Sequence, residues 1–211
     1  MIKLHFLHHS RAIRILWLLE ELGLKYDLIH YYRDPETKLA PPELKDIHPL
    51  GKSPVLEDGD LKIAESGAIV DYLIRTYGAD HFQPAPDTPA YATYQEWMHF
   101  AEGSAMLPLM MGMYARRLGN AAEPLQPRIQ SEIINHFSYM EAGLGDNQFF
   151  IDDHLTGADI QITFVLEGAS ISGALANFPK LNAYFDRMTN RAAYKRALEI
   201  GGPHNLGTME D

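Results

Sequence analysis

The chain has 211 residues, 46% hydrophobic and 22% charged, enough to bury a core in one or two domains and too apolar for a disordered chain. Eighteen Lys and Arg against 28 Asp and Glu leave a formal charge of −10, which argues against broad contact with a phosphate backbone. No cysteine is present, which excludes disulfides, a cysteine nucleophile, CxxC redox chemistry and thiolate metal sites, so any thiol chemistry needs a thiol carried by a ligand.

Ile2, Leu4 and Phe6 alternate with Lys3 and His5, the period of a strand. A helical run follows with Ile15, Leu18, Leu19 and Leu22 on one stripe, and Gly23 stands where a helix C-terminal glycine belongs. Tyr26 to Tyr31 reads as a second strand, which completes a βαβ unit with parallel strands. Residues 33–53 are loop-rich, with prolines at 35, 41, 42 and 49. Pro54–Glu57 and Leu61–Ala64 flank Asp58-Gly59-Asp60, a hairpin with its turn signal. A helix with Ile69, Tyr72 and Leu73 on one stripe closes this part at Gly78.

Gln83–Pro89 has three prolines in seven residues and reads as a linker. Beyond it the pattern predicts helices over 90–118, 126–143, 158–175 and 180–199 and no strand, with Pro108 and Gly112 interrupting the first. Thr156-Gly157-Ala158-Asp159 has the form of a helix capping box, with Leu155 and Ile160 as its hydrophobic staple. The expected domains are 1–80, a linker at 81–89, and a helical domain over 90–211. No apolar run approaches the roughly 18–20 residues of a membrane span. The N-terminal MIKLHFLHHSR lacks a signal peptide's apolar stretch, which implies a cytoplasmic protein.

Four pieces, in this order and spacing, carry a resemblance over nearly the whole chain: the turn His8-His9-Ser10-Arg11, the stretch His48–Leu56, the pair Glu65-Ser66 before a helix, and the cap Thr156–Asp159. With them the chain resembles the soluble glutathione S-transferases, and most of all bacterial and fungal members whose first helix begins with a Ser-Arg pair. The resemblance implies an α/β thioredoxin-like N-terminal domain (βαβ-α-ββα) followed by an all-α C-terminal domain. It also implies glutathione as co-substrate, no permanently bound cofactor, a hydrophobic small-molecule electrophile as second substrate, and a homodimer. Neither nucleic acid nor membrane is an expected partner.

A free thiol with a pKa near 8.5 is only about 3% thiolate at pH 7, and the thiolate is the nucleophile. Each unit by which an enzyme lowers that pKa takes about 1.4 kcal/mol, and one hydrogen bond to a charged group contributes roughly 1.5–3 kcal/mol. The resemblance places a Tyr, Ser or Cys donor near the first strand-to-helix turn. With no Cys in the chain and no Tyr in its first 25 residues, Ser10 is the expected catalytic group, with Arg11 and His9 as runners-up. The same serine also suits a plain helix cap.

Glu65 suits the γ-glutamyl ammonium, while Ser66 and the free amides of the helix start suit its carboxylate. Ser53-Pro54 matches the family's cis-proline site, where the residue before proline offers its backbone to the cysteinyl unit. Lys52 is expected at the glycine carboxylate, with Lys38 as a weaker alternative. Met106, Met110, Met111, Met113 and Tyr114 are read either as core or as an adaptable surface for the electrophile. Glu102 or His99 is set against a partner's glutathione amine.

The ten histidines form no HExxH pattern, so no metal site is expected. The absence of a GxSxG elbow, a GxGxxG fingerprint and a Walker loop argues against a serine hydrolase and against nucleotide cofactors. The expected activity is conjugation of glutathione to electrophiles, with peroxide reduction as a side activity. The alternatives are glutathione-dependent disulfide reduction and a non-enzymatic glutathione-binding or scaffold protein.

Overall fold

The computed structural model describes residues 1–78, 81–151 and 153–202. The chain divides into two compact units, Met1–Ala79 with Met188–Asp211, and Asp80–Arg187.

The first unit contains β1 (Ile2–Leu7), α1 (Ala12–Glu21), β2 (Tyr26–Tyr31), the one-turn α2 (Leu44–Ile47), β3 (Val55–Asp58), β4 (Leu61–Ala64) and α3 (Ser66–Tyr77). This is the βαβ-α-ββα order of a thioredoxin-like domain. The sheet runs β2-β1-β3-β4. β1 and β2 are parallel, from Ile2 opposite Tyr26 to Leu7 opposite Tyr31, and β3 is antiparallel to both neighbours. Gly59 makes the hairpin turn at φ +59°. Gly23 ends α1 at φ +63°, with the Leu24 amide on the Leu19 carbonyl (3.1 Å) and the Gly23 amide on Glu20 (3.3 Å). That paired closure is the Schellman motif, which favours glycine because the left-handed region costs other residues a Cβ clash.

α1 is buried from Ala12 through Leu19, more than the single stripe the sequence predicts. The reason is a further packing layer. The chain's last described helix, α9 (Ala192–Gly201), lies against α1. Trp17 meets Tyr194 edge-on at 5.1 Å and gives its indole N–H to Glu21 at 2.8 Å. Glu21 also takes two bonds from Arg191 (2.7 and 3.0 Å), and Glu20 takes one from Arg196 (3.0 Å) and one from Tyr26 (2.6 Å). A Cβ at Gly201 would stand 2.9 Å from both Leu16 and Phe6, so glycine permits this approach. Residues 188–202 therefore group with the first unit, whereas the sequence pattern placed them with the helical part.

The second unit contains α4 (Pro89–Phe100), a π-helical segment (Ala101–Ala105), α5 (Met106–Arg116), a 3-10 segment (Gly119–Leu125), α6 (Gln126–Leu144), α7 (Gly157–Ile171) and most of α8 (Pro179–Thr189). Its described residues contain no strand. The expected helix 90–118 is interrupted just before Pro108 rather than at it. Proline lacks the N–H for residue 104 and its ring crowds that carbonyl, and the wide π turn at 101–105 absorbs the mismatch. The expected helix 158–175 stops early because Gly173 turns left-handed at φ +75°. The expected helix 180–199 breaks at Asn190-Arg191 into α8 and α9.

α7 is the centre of this unit, buried throughout Gly157–Leu166. The carboxylate of Asp159 at its start accepts from the amide and hydroxyl of Thr156 (2.8 Å each), the amide of Phe150 (3.1 Å) and the hydroxyl of Tyr184 (2.7 Å). The expected cap is thus the centre of a buried network that also ties in α8 and the 145–151 loop. Gly143 on α6 makes room for Trp97, since a Cβ there would fall 2.5 Å from the indole ring.

Candidate functional site

The candidate residues 9–11, 52–54 and 65–66 all lie in the first unit, on the loops at strand and helix ends.

The β1–α1 turn begins where the His8 amide extends the parallel ladder onto the Tyr31 carbonyl (3.0 Å). His9 is left-handed at φ +55°. Ser10 is 8% exposed, and its hydroxyl donates to the Leu7 carbonyl (2.7 Å) while accepting from the Ala12 amide (3.1 Å). Its one proton is therefore committed inward, as a brace across the strand-to-helix corner. Arg11, half-buried, is the residue from which α1 starts. The neighbouring His8 bonds His30 through ring nitrogens (3.0 Å) and stacks on Tyr32 at 4.3 Å.

Ser53-Pro54 is a cis peptide. The Ser53 hydroxyl donates to the His5 carbonyl (2.8 Å) and accepts from the Leu7 amide (3.0 Å). This side chain thus continues the β1–β3 ladder past Val55, where the backbone of β3 has turned away. His5 is buried at 3% exposure with Nδ1 on the Tyr31 hydroxyl (2.9 Å) and Nε2 3.4 Å from Glu57. Burial lowers its pKa against the opposing pull of Glu57, which favours the neutral imidazole. Lys52 is exposed on the same loop. Lys38 is left-handed at φ +58° in the loop after β2.

Glu65 precedes α3 at φ +68° and is exposed. Ser66 opens the helix, 4% exposed, and its hydroxyl accepts from the Arg14 guanidinium at 3.1 Å. Arg14 is itself buried at 1% exposure. Its charge adds to the positive end of α3, where the first-turn amides have no intrahelical acceptor. An anion placed there meets a hydroxyl, the helix-start amides and a buried cation together, and Glu65 stands next to it for a cation. Sequence reasoning missed Arg14, although one charge inside the apolar run Ala12–Leu19 is a legible signal. It also missed Arg33, which donates to the carbonyls of His9 (3.1 Å) and Lys38 (3.0 Å).

In the second unit Met106 is buried, while Leu107, Met111, Tyr114 and Leu118 form an exposed apolar stripe. Met110 and Met113 are half-buried, Glu102 is half-buried in the π segment, and His99 is exposed. Among the described residues no three His, Asp or Glu side chains gather as a metal site requires, and no helix is long and apolar enough to cross a membrane.

The family description "Glutathione S-transferase, N-terminal domain" matches residues 1–75, and "Glutathione S-transferase, C-terminal domain" matches 69–192. Glutathione S-transferase 1 of Saccharomyces cerevisiae is 32% identical, with 94% of each chain covered. A solved glutathione S-transferase from Actinobacillus pleuropneumoniae superposes with a TM-score of 0.87 at 35% identity, covering 98% of this chain and 94% of that one. An elongation factor 1-gamma from Prunus avium is 27% identical over 90% of this chain but only 46% of its own length. Matched in both halves and over almost its full length, the chain belongs to the glutathione S-transferase family of enzymes.

Proposed function

We propose that this protein conjugates the glutathione thiolate to hydrophobic electrophiles, acting as a cytoplasmic homodimer with peroxide reduction as a side activity. The observation that carries the reading is the head-group site at α3, where buried Arg14 backs Ser66 and exposed Glu65 adjoins it. A γ-glutamyl group carries a carboxylate and an ammonium on one carbon, and Ser66 with the helix start and Glu65 would take one each. The backbone of Ser53 would meet the cysteinyl unit as an added strand does, and Lys52 the glycine carboxylate. The sulfur then falls to the turn His9-Ser10-Arg11.

Within that turn the inward hydroxyl of Ser10 shifts the thiolate's stabilisation toward the Arg11 charge and the start of α1, with Ser10 shaping the corner. The reaction with 1-chloro-2,4-dinitrobenzene is the natural assay. The thiolate attacks the chlorine-bearing ring carbon, the C–S bond forms, and chloride leaves. The protein supplies orientation and a lowered thiol pKa.

Two variants separate the roles. Ser10→Ala loses about 1–2 kcal/mol of stability through the broken corner but shifts the bound thiol's pKa by less than about half a unit. Arg11→Gln raises that pKa by about one unit, equivalent to about 1.4 kcal/mol of lost thiolate stabilisation. Ultraviolet titration of enzyme-bound glutathione reads both. The reverse pattern would return the sulfur to the Ser10 hydroxyl. No conjugation by the wild-type chain over a panel of electrophiles would defeat the conjugation reading.

A further inference from the structure

Among the described residues, three that are not glycine adopt left-handed backbone: His9, Lys38 and Glu65. Such residues persist only where their surroundings hold them, and they concentrate at working sites. One side chain holds two of the three. Arg33, two residues beyond the end of β2, donates through one terminal nitrogen to the Lys38 carbonyl at 3.0 Å and through the other to the His9 carbonyl at 3.1 Å.

The loop that carries Lys38 is a closed unit in its own right. The Asp34 carboxylate accepts from the amides of Glu36 (3.1 Å) and Thr37 (2.7 Å) and from the Thr37 hydroxyl (2.9 Å). The Asp34 amide donates to the Leu39 carbonyl and the Lys38 amide to the Asp34 carbonyl, both at 2.9 Å. Arg33 is the link between this fixed loop and the turn ahead of α1. Its half-burial shields the two bonds from water and lowers the guanidinium's pKa by desolvation.

The consequence follows from peptide geometry. The His9–Ser10 bond is trans, so the His9 carbonyl and the Ser10 amide point in opposite directions from one rigid plane. Pinning the carbonyl on Arg33 aims the Ser10 N–H away from Arg33, on the turn where the sulfur is placed. The Ser10 hydroxyl is occupied with Leu7, but its amide is oriented by a group that sequence reasoning did not single out.

We infer that Arg33 is a positioning residue for thiolate stabilisation: it fixes the His9–Ser10 peptide so that the Ser10 amide faces the glutathione sulfur, and holds the Lys38 loop in register with it. This rests on the glutathione reading above. Arg33 acts through the His9–Ser10 peptide and not by touching substrate itself.

The test uses the full chain as wild type, Arg33→Met and Arg33→Lys. Methionine keeps most of the length and removes both donors. Lysine keeps the charge but has a point ammonium that does not span two carbonyls as a planar guanidinium does. Calorimetry with S-methylglutathione, ultraviolet titration of the bound glutathione thiol and conjugation kinetics are compared with thermal unfolding. The expected result for Arg33→Met is a fall in kcat of about ten- to a hundredfold and a rise in bound-thiol pKa of at least about one unit, with the S-methylglutathione Kd within about threefold of wild type. Arg33→Lys raises the thiol pKa in the same direction at near wild-type unfolding temperature, and it carries the test if Arg33→Met does not fold.

A thiol pKa and kcat unchanged in both variants, with only thermal stability lost, would overturn the inference and leave Arg33 a purely structural brace. Wild-type protein that does not bind S-methylglutathione would overturn the glutathione reading itself, and the inference with it. Wild-type binding with unaffected variants overturns the inference alone.

Discussion

Glu65→Gly makes the protein more stable and a worse glutathione binder. The backbone of Glu65 sits at φ +68°, ψ +114°, a conformation open to glycine and strained for any side chain. Relief of that strain, on the order of 1–3 kcal/mol, outweighs the roughly 0.5–1 kcal/mol of extra chain entropy that glycine loses on folding. The expected gain is about 1 kcal/mol in urea unfolding. Glu65 is exposed, so its removal opens no cavity. In the same variant the γ-glutamyl ammonium loses its carboxylate, and glutathione affinity falls about ten- to a hundredfold. A stabilised protein with unchanged affinity would remove Glu65 from the site. A destabilised one would mean that Glu65 is held for structural reasons. Ser66→Ala gives the contrast: it also weakens binding, but it costs stability, because buried Arg14 loses the hydroxyl that accepts its N–H.

Asp159→Ala has the largest expected effect on folding. Its buried carboxylate accepts four hydrogen bonds from Phe150, Thr156 and Tyr184. Burial pushes the Asp159 carboxyl up and the four donors pull it down, while burial and the adjacent carboxylate raise the Tyr184 phenol well above its usual range. Alanine leaves four donors facing a small cavity. Each buried donor without a partner costs about 1–3 kcal/mol, and water entering the cavity offsets part of the sum. The net loss is about 3–5 kcal/mol. Asp159→Asn keeps an acceptor oxygen but turns an NH2 toward the donors, and falls between. Chemical unfolding of the three proteins measures the order. A loss under about 1 kcal/mol for alanine would show that the network contributes little.

The elements legible in the sequence are those set by local chemistry. Alternation along residues 2–6 marks β1, Gly23 and Gly59 mark turns that need left-handed backbone, and Thr156 and Asp159 mark the start of α7. The missing parts depend on partners far away in the chain. Nothing local says that α9 leaves the helical part, because the cause is Glu20 and Glu21 meeting Arg196 and Arg191 across about 170 residues, with Gly201 admitting Phe6 and Leu16. Gly173 was a readable stop for α7, yet the apolar pattern continues past it. For the site, position was readable and direction was not. Ser10 occupies the expected corner, but the Leu7 carbonyl decides where its proton goes. Arg14, the one charge in an apolar run, was legible but missed, whereas Arg33 lies in a loop without periodicity and shows its role only through two carbonyls brought together by folding.

Calorimetric titration of glutathione into the full chain, alongside Glu65→Gly, asks most directly whether the first unit carries the proposed glutathione site built on α3, the Ser53-Pro54 loop and the β1–α1 turn. Wild type is expected to bind saturably at one site per chain, and a variant that is at least as well folded to bind about ten- to a hundredfold more weakly. No heat from wild type at millimolar glutathione, or equal binding by the two proteins, would contradict it.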